Sequence, residues 1–557
     1  MSNATTGSDR VVPGQQPPEE TRTSRLTRLT GSVTAHRQFA VVVAVAVLMR
    51  IIVILGYPPI LWFDDSYNYI YDAFTRQPDV IRANGYPFFL QLLLPLHSVY
   101  PIGIIQAAMG VAIGVVIYAL LRHRGLPWWG AALAAVPVLF DSYQLHLEHM
   151  ITSDVLFVFL ITVAIVILCW NDRPSVPVMA VAGLLIGYAT VVRSVGEPLL
   201  VVVLVAMLVR RVGWQRMVAL LVAGLVPIAG YMLWFHSSTG KYGLTQSLGP
   251  FVYSRVSAFA DCSKLEPPAD LRFLCDKNPP QDRPPASQYI WADNDLPMTN
   301  GQPTYTPLYN DKQIGSDTGA RFAPAIGKQE KQFAEFFIKK QPVTYLRVVL
   351  RDVVHTFGWN RETDPGGAFE TANGNGPTFQ FINRPALIHT IPWYTHPTHI
   401  AGTPSKSFCD ATCQQGDPQA GQIQAAERAF SGGGLGETRA VGPWYQILQF
   451  YQRIFYLRGT LLALIVLVGL AGVLARWRRW GGLGLLPWLV GAVLIVLPAM
   501  TAGFSYRYVL AAAPAACLAA GLAFARKPGD RPGEQSVGAL ASGLRRRLRR
   551  GRAVEEE

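Results

Sequence analysis

Several apolar runs close to the roughly 20 residues that carry a helix across a bilayer constrain this chain more than any other feature. Ten runs are legible, at 39–55, 102–121, 127–140, 155–170, 176–192, 195–209, 217–235, 460–474, 483–500 and 508–525. With 557 residues, 50% of them hydrophobic and 15% charged, this is not the composition of an ordinary soluble protein. The formal charge of +13 invites a nucleic-acid partner. The basic residues, however, cluster between apolar runs and at both ends, which is the positive-inside pattern. The basicity therefore reports orientation in a membrane, and no nucleic acid is expected.

Arg22, Arg25, Arg28 and Arg37 precede the first run and put the N-terminus in the cytoplasm. The run at 127–140 is short and holds Pro137; parity decides it, because the run at 155–170 ends in the inner loop Asn171-Asp172-Arg173. The fold expected is mainly α: a polytopic helix bundle of about ten transmembrane helices, with interfacial helices in the first outer loop and a large extracytoplasmic loop domain. Its parts are a disordered cytoplasmic segment at 1–38, a transmembrane module at 39–235, the loop domain at 236–457, transmembrane helices at 458–525 and a basic tail at 526–557. No cleavable signal peptide is evident, and the polar first 36 residues read as disordered. The loop of about 220 residues is too long for a mere connection. Within it, 328–358 has helical periodicity broken at Gln341-Pro342 and is expected to rest on the membrane. The protein is read as a multi-pass plasma-membrane protein with both ends inside.

With this topology, Asp64, Asp65, Glu148, Asp154, Arg193 and Arg507 all land at the outer face, with Arg50 just below them. Charges inside or beside spans usually pair or line a functional cavity. Snorkelling at helix ends explains any one of them without function, and capping of a helix explains Asp64. Tyr67, Tyr71 and Phe74 against Asp64, Asn68 and Asp72 suit a helix lying along the interface. His146, Glu148 and His149 offer a weak metal-type grouping, so a divalent metal stays open and no cofactor is assigned. Cys169 and Cys517 fall inside apolar runs. Cys262, Cys275, Cys409 and Cys413 share the outer loop, where disulfides are the default; Cys262–Cys275 with Cys409–Cys413 is the economical choice among three pairings. No phosphate-cradling glycine loop, zinc-hydrolase motif or nucleophilic serine elbow is present.

These residues resemble the GT-C superfamily of membrane glycosyltransferases, in particular the polyprenyl-phosphate-sugar enzymes similar to protein O-mannosyltransferases and lipid A aminoarabinose transferases. The matching pieces are Arg50, Asp64-Asp65 with Tyr69, Gly85-Tyr86-Pro87, Glu148 with 152–157, the segment 183–193, and Arg507-Tyr508. The segment 249–275, with Arg255 and Asp261-Cys262, is similar to actinobacterial members. Relatives often carry Asp-Glu where this chain has Asp64-Asp65. The resemblance implies an inverting transferase that moves a sugar from a polyprenyl-phosphate carrier to an extracytoplasmic glycan, lipid or protein. Asp64 would be the favoured base and Asp65 a second catalytic acid. Arg50, Arg193 and Arg507 would bind the donor phosphate, and Tyr69, Tyr86, Glu148, His149, Asp154 and Arg255 would support the substrates. A lipid-linked donor has a phosphate leaving group, so cations replace the proton-donating acid that a glycosidase needs.

Two other classes remain open. A transporter or flippase of a lipid-linked sugar would set its charges at mid-membrane on broken helices, often in repeated halves, and no repeat is evident. A receptor or scaffold would need the long loop but not the acid–arginine set.

Overall fold

The computed structural model of the protein describes residues 20–276, 278–283, 286, 289, 298–299, 302–303, 324–359, 418–433, 438–476, 482–503 and 506–525. The described chain is helical almost throughout. Its helices are α1 (Glu20–Gly56), α2 (Asp64–Thr75), α3 (Gly85–Leu93), α4 (Tyr100–His123), α5 (Trp128–Phe140), α6 (Ser142–Glu148) and α7 (Asp154–Trp170). There follow α8 (Val176–Val192), α9 (Leu199–Val209), α10 (Trp214–Thr239), α11 (Leu248–Ser257), α12 (Pro324–Lys340) and α13 (Pro342–His355). The last are α14 (Pro418–Ser431), α15 (Trp444–Ile454), α16 (Gly459–Ala475), α17 (Leu485–Thr501), α18 (Tyr506–Leu510) and α19 (Ala513–Leu522). Among the described residues the only strand pairing is the two-residue ladder of Met298–Thr299 with Gln302–Pro303. The helical period at 328–358 is realised as α12 and α13, broken at Gln341 as expected. The N-terminal segment differs: α1 begins at Glu20, inside the stretch expected to lack structure.

Among the described residues, four helical stretches are long and apolar enough to cross a membrane: His36–Gly56, Tyr100–His123, Trp214–Thr239 and Gly482–Thr501. A fifth arises if α15 and α16, bent by 56°, count as one span. The expected ten is thus not carried by length. The other apolar helices have 10–17 residues, and at about 1.5 Å per residue they rise roughly 15–25 Å, short of a hydrocarbon core of about 30 Å.

The apolar helices nevertheless gather their ends in two groups. At one end, Arg124 donates to the Cys169 carbonyl at 2.9 and 2.6 Å, and Arg210 donates to the Leu168 carbonyl at 3.0 Å. Cys169 contacts the Leu483 carbonyl, Arg476 donates to those of Ala523 and Ala525, and Gly521 packs on Leu121. Guanidinium groups here meet the free carbonyls and negative dipoles of helix C-termini. The opposite end collects the last residues of α1, α5, α8 and α17 and the first of α7 and α18. The main core joins α1, α4, α5, α7, α8, α9, α17 and α19. A separate cluster packs α11 on α12 through Tyr253, Phe333 and Phe337, beside the Cys262–Cys275 disulfide. Cys409 and Cys413 lie outside the described residues.

Helix α8 packs closely on α10. A Cβ on Gly183 would lie 2.3 Å from the Leu220 carbonyl oxygen, and one on Gly187 would lie 2.1 Å from that of Gly224. Small residues four apart let two backbones touch, which is how apolar helices associate where lipid removes the hydrophobic drive. Gly187→Leu should therefore force α8 and α10 apart at a cost of at least about 1–3 kcal/mol. A clearly lowered melting temperature in detergent is expected; an unchanged melting curve would contradict this packing.

Candidate functional site

The stretch around Trp62–Tyr69 is strapped to the residues before α7. The Leu61 N–H donates to the His149 carbonyl at 2.8 Å and the Ile151 N–H donates to the Leu61 carbonyl at 3.2 Å. Ser66 Oγ accepts from the Phe63 N–H at 2.9 Å and donates to the Ile151 carbonyl at 2.8 Å. Tyr69 Oη and Ser153 Oγ lie 3.0 Å apart. Phe63, not Asp64, takes the N-cap position, and Asp64 is the first residue of α2. The Asp64 side chain lies outside the described residues.

This strap brings the acids of two segments together, and arginines from three others reach them. Arg82 binds Asp65 Oδ1 through Nε at 2.7 Å and Nη2 at 2.6 Å. Arg507 Nη1 binds Asp65 Oδ2 at 2.8 Å, and Arg507 Nε binds Asp154 Oδ2 at 2.8 Å. Arg193 closes the row on Asp154 Oδ1. The result is an alternating chain, Arg82–Asp65–Arg507–Asp154–Arg193, whose guanidinium groups also lie over Phe63 (Arg507, 4.9 Å) and Tyr508 (Arg193, 5.5 Å). Beyond it, Arg82 reaches Asp79 at 3.4 Å. Burial would raise the pKa of Asp65, but the Arg82 and Arg507 guanidiniums override it and hold the carboxyl well below its ordinary value. Burial, with the Asp65 charge behind it, pushes the Tyr69 phenol up to about 12, so it stays protonated.

A second network sits beside the first. Arg50 gives Nε to Glu148 Oε2 at 2.7 Å and Nη2 to Glu148 Oε1 at 2.9 Å, while Nη1 donates to the carbonyls of Ala46 and Leu139. Arg50 thus ends on Glu148 and two helix carbonyls, and a phosphate would have to displace Glu148 to reach it. Glu148 also accepts from Gln144 and fills the space left by Gly110, where a Cβ would lie 1.9 Å from its Oε1. Tyr86 donates to Gln106 Oε1 at 2.7 Å, and Gln106 Nε2 holds the carbonyls of Glu148 and Met150. Tyr86 also meets Tyr69 edge to face at 5.0 Å. His149 Nε2 contacts the Tyr57 carbonyl at 2.8 Å. Among the described residues no group of three His, Cys, Asp or Glu is arranged to hold a metal ion.

Of the remaining residues singled out in the sequence, Arg255 is buried and pairs with Asp352 at 2.7 Å, outside the five-residue chain. Sequence reading missed Arg82, which stands in a polar loop where an arginine is unremarkable, and Gln106, an amide buried within an apolar run. The second carried a signal, because a buried amide inside a span needs partners. No protein-family model, curated protein or solved structure matches the chain.

Asp65 gives a pH test. Its folded pKa is depressed below 3.8, so its ion pairs stabilise the fold throughout the range above that value and are lost only as pH falls through the lower, folded one. In Arg82→Gln the depression shrinks. The acid limb of a plot of melting temperature against pH should then move to higher pH; superimposable acid limbs would mean that Arg82 does not hold Asp65.

Proposed function

We propose that the protein is an inverting membrane glycosyltransferase that moves a sugar from a polyprenyl-phosphate carrier to a glycan, lipid or protein acceptor. The observation that carries the reading is the alternating chain from Arg82 to Arg193 at one end of a bundle of apolar helices. It contains three guanidiniums against the two carboxylates Asp65 and Asp154. Arg193 spends a single nitrogen on Asp154, so its other donors are free for an oxyanion. An anionic head whose tail lies among apolar helices is the ligand such a place suits.

In this reading all ten apolar helices cross the plasma membrane, the shorter ones in a locally thinned bilayer, and the site faces the extracytoplasmic side. Two features support that orientation. Arg124 and Arg210 at the opposite end suit a cytoplasmic face there. The Cys262–Cys275 disulfide, in the segment after α11, suits an oxidising compartment. On α13 the exposed Val343, Leu346, Leu350 and Val354 form one stripe, and Tyr345 is tied to the Met500 carbonyl at the end of α17. That stripe suits a helix lying on the bilayer surface.

In the chemistry proposed, the donor phosphate binds Arg193 and draws Arg507 away from Asp65. The acceptor hydroxyl attacks the anomeric carbon and a carboxylate takes its proton. The bond from that carbon to the phosphate oxygen breaks, and polyprenyl phosphate leaves with the electron pair, held by the guanidiniums. Asp65, doubly ion-paired in the resting state, is a weak base, and this supports Asp64 as the proton acceptor. Asp65 then acts as the latch on Arg507.

The test uses purified protein with radiolabelled polyprenyl-phosphate mannose, arabinofuranose or glucose. Asp64→Asn should retain donor binding and lose about 10²–10⁴-fold in turnover. Asp65→Asn should change donor binding, because Arg507 no longer has a carboxylate to leave. Wild-type turnover in both variants, with a donor that the parent uses, would defeat the mechanism.

A further inference from the structure

Arg255 stands in α11, is 2% exposed, and uses only one of its three guanidinium nitrogens. Nη1 pairs with Asp352 Oδ2 at 2.7 Å, whereas Nε and Nη2 are buried and have no hydrogen-bond partner among the described residues. These two nitrogens form one edge of the planar guanidinium, and their N–H bonds run parallel. That edge is the fork with which arginine grips a carboxylate or phosphate through two bonds. Leaving buried donors unpaired costs about 1–3 kcal/mol each, and more on a charged group. Arg283, by contrast, spends its Nη1 on the carbonyls of Ser257 and Ala260, whereas the Nε–Nη2 edge of Arg255 meets no acceptor among the described residues.

The surroundings favour an anion. The exposed Arg351 approaches the other oxygen of Asp352 at 3.6 Å, so two guanidiniums share one carboxylate. The connection to the first site is short. Gly503, where a Cβ would lie 3.9 Å from Arg255 Nη1, belongs to the connection between α17 and α18, and Arg507 is the second residue of α18.

We propose that the Nε–Nη2 edge of Arg255 is a second oxyanion subsite that grips a phosphate group through two hydrogen bonds. The phosphate can be free in solution or the head of a lipid, and the chemistry at the fork is the same. The subsite is separate from the Arg193–Arg507 pair and does not depend on glycosyl transfer, because occupancy is read without turnover.

The experiment titrates the full chain in detergent with inorganic phosphate and, separately, with geranyl phosphate, and follows binding by calorimetry. Arg255→Lys keeps a cation beside Asp352 but has no fork; Arg255→Gln removes the charge as well. Both should lose one bound phosphate per chain, or weaken binding by about tenfold or more, the factor that 1.4 kcal/mol represents. A loss seen with both ligands means that the phosphate group alone fills the subsite. A loss confined to geranyl phosphate means that the lipid head is its source. If Arg255→Gln does not fold, Arg255→Lys decides the matter. Unchanged stoichiometry and affinity for both ligands would overturn the proposal and leave the fork to ordered water. Because no sugar is transferred, failure here leaves the glycosyltransferase reading untouched, and failure of that reading leaves this one standing.

Discussion

Buried charges have to meet, and that requirement organises this end of the molecule. Asp65 and Asp154 stand on α2 and α7, and the arginines that neutralise them come from the loop before α3, the end of α8 and the start of α18. Breaking a buried pair by removing one partner costs about 3–5 kcal/mol. No segment in the row can therefore move without its neighbours. The backbone strap from Leu61 to Ser153 fixes the spacing of the two acids.

The two polar networks differ in kind. Around Arg50 and Glu148, three guanidinium hydrogen bonds and an ion pair are made to fixed acceptors and a glycine clears the space for the carboxylate. This is an arrangement for holding α1, α5 and α6 together. In the chain from Arg82 to Arg193 the acceptors are themselves exchangeable carboxylates, and the terminal arginine is only partly engaged. In the proposed reading, a phosphate would replace a carboxylate in the chain from Arg82 to Arg193 at small cost, because one charge-assisted pair is exchanged for another.

Much of this was legible in the sequence. Each apolar run became a helix, including the doubtful one around Pro137, which parity required and which forms α5. The gathering of Asp65, Asp154, Arg193 and Arg507 followed from topology alone, since helix direction fixes which residues share an end. What hydropathy could not provide was side-chain pairing. Arg50 lies among the same charges by depth, yet its guanidinium turns to Glu148 and two carbonyls because those acceptors face it inside the bundle. Arg82 is invisible to hydropathy in its polar loop. The number of crossings is a third case: a run of apolar residues marks a helix, but its length decides whether it reaches both surfaces unaided.

The measurement that bears most directly on the site is an electron cryomicroscopy structure of the full chain in a lipid nanodisc with a polyprenyl phosphate bound. The expected result is phosphate density within hydrogen-bond distance of the Arg193 and Arg507 guanidiniums, the tail between apolar helices, and Asp65 detached from Arg507. Phosphate bound elsewhere, with the ion pair of Asp65 and Arg507 intact, would contradict it.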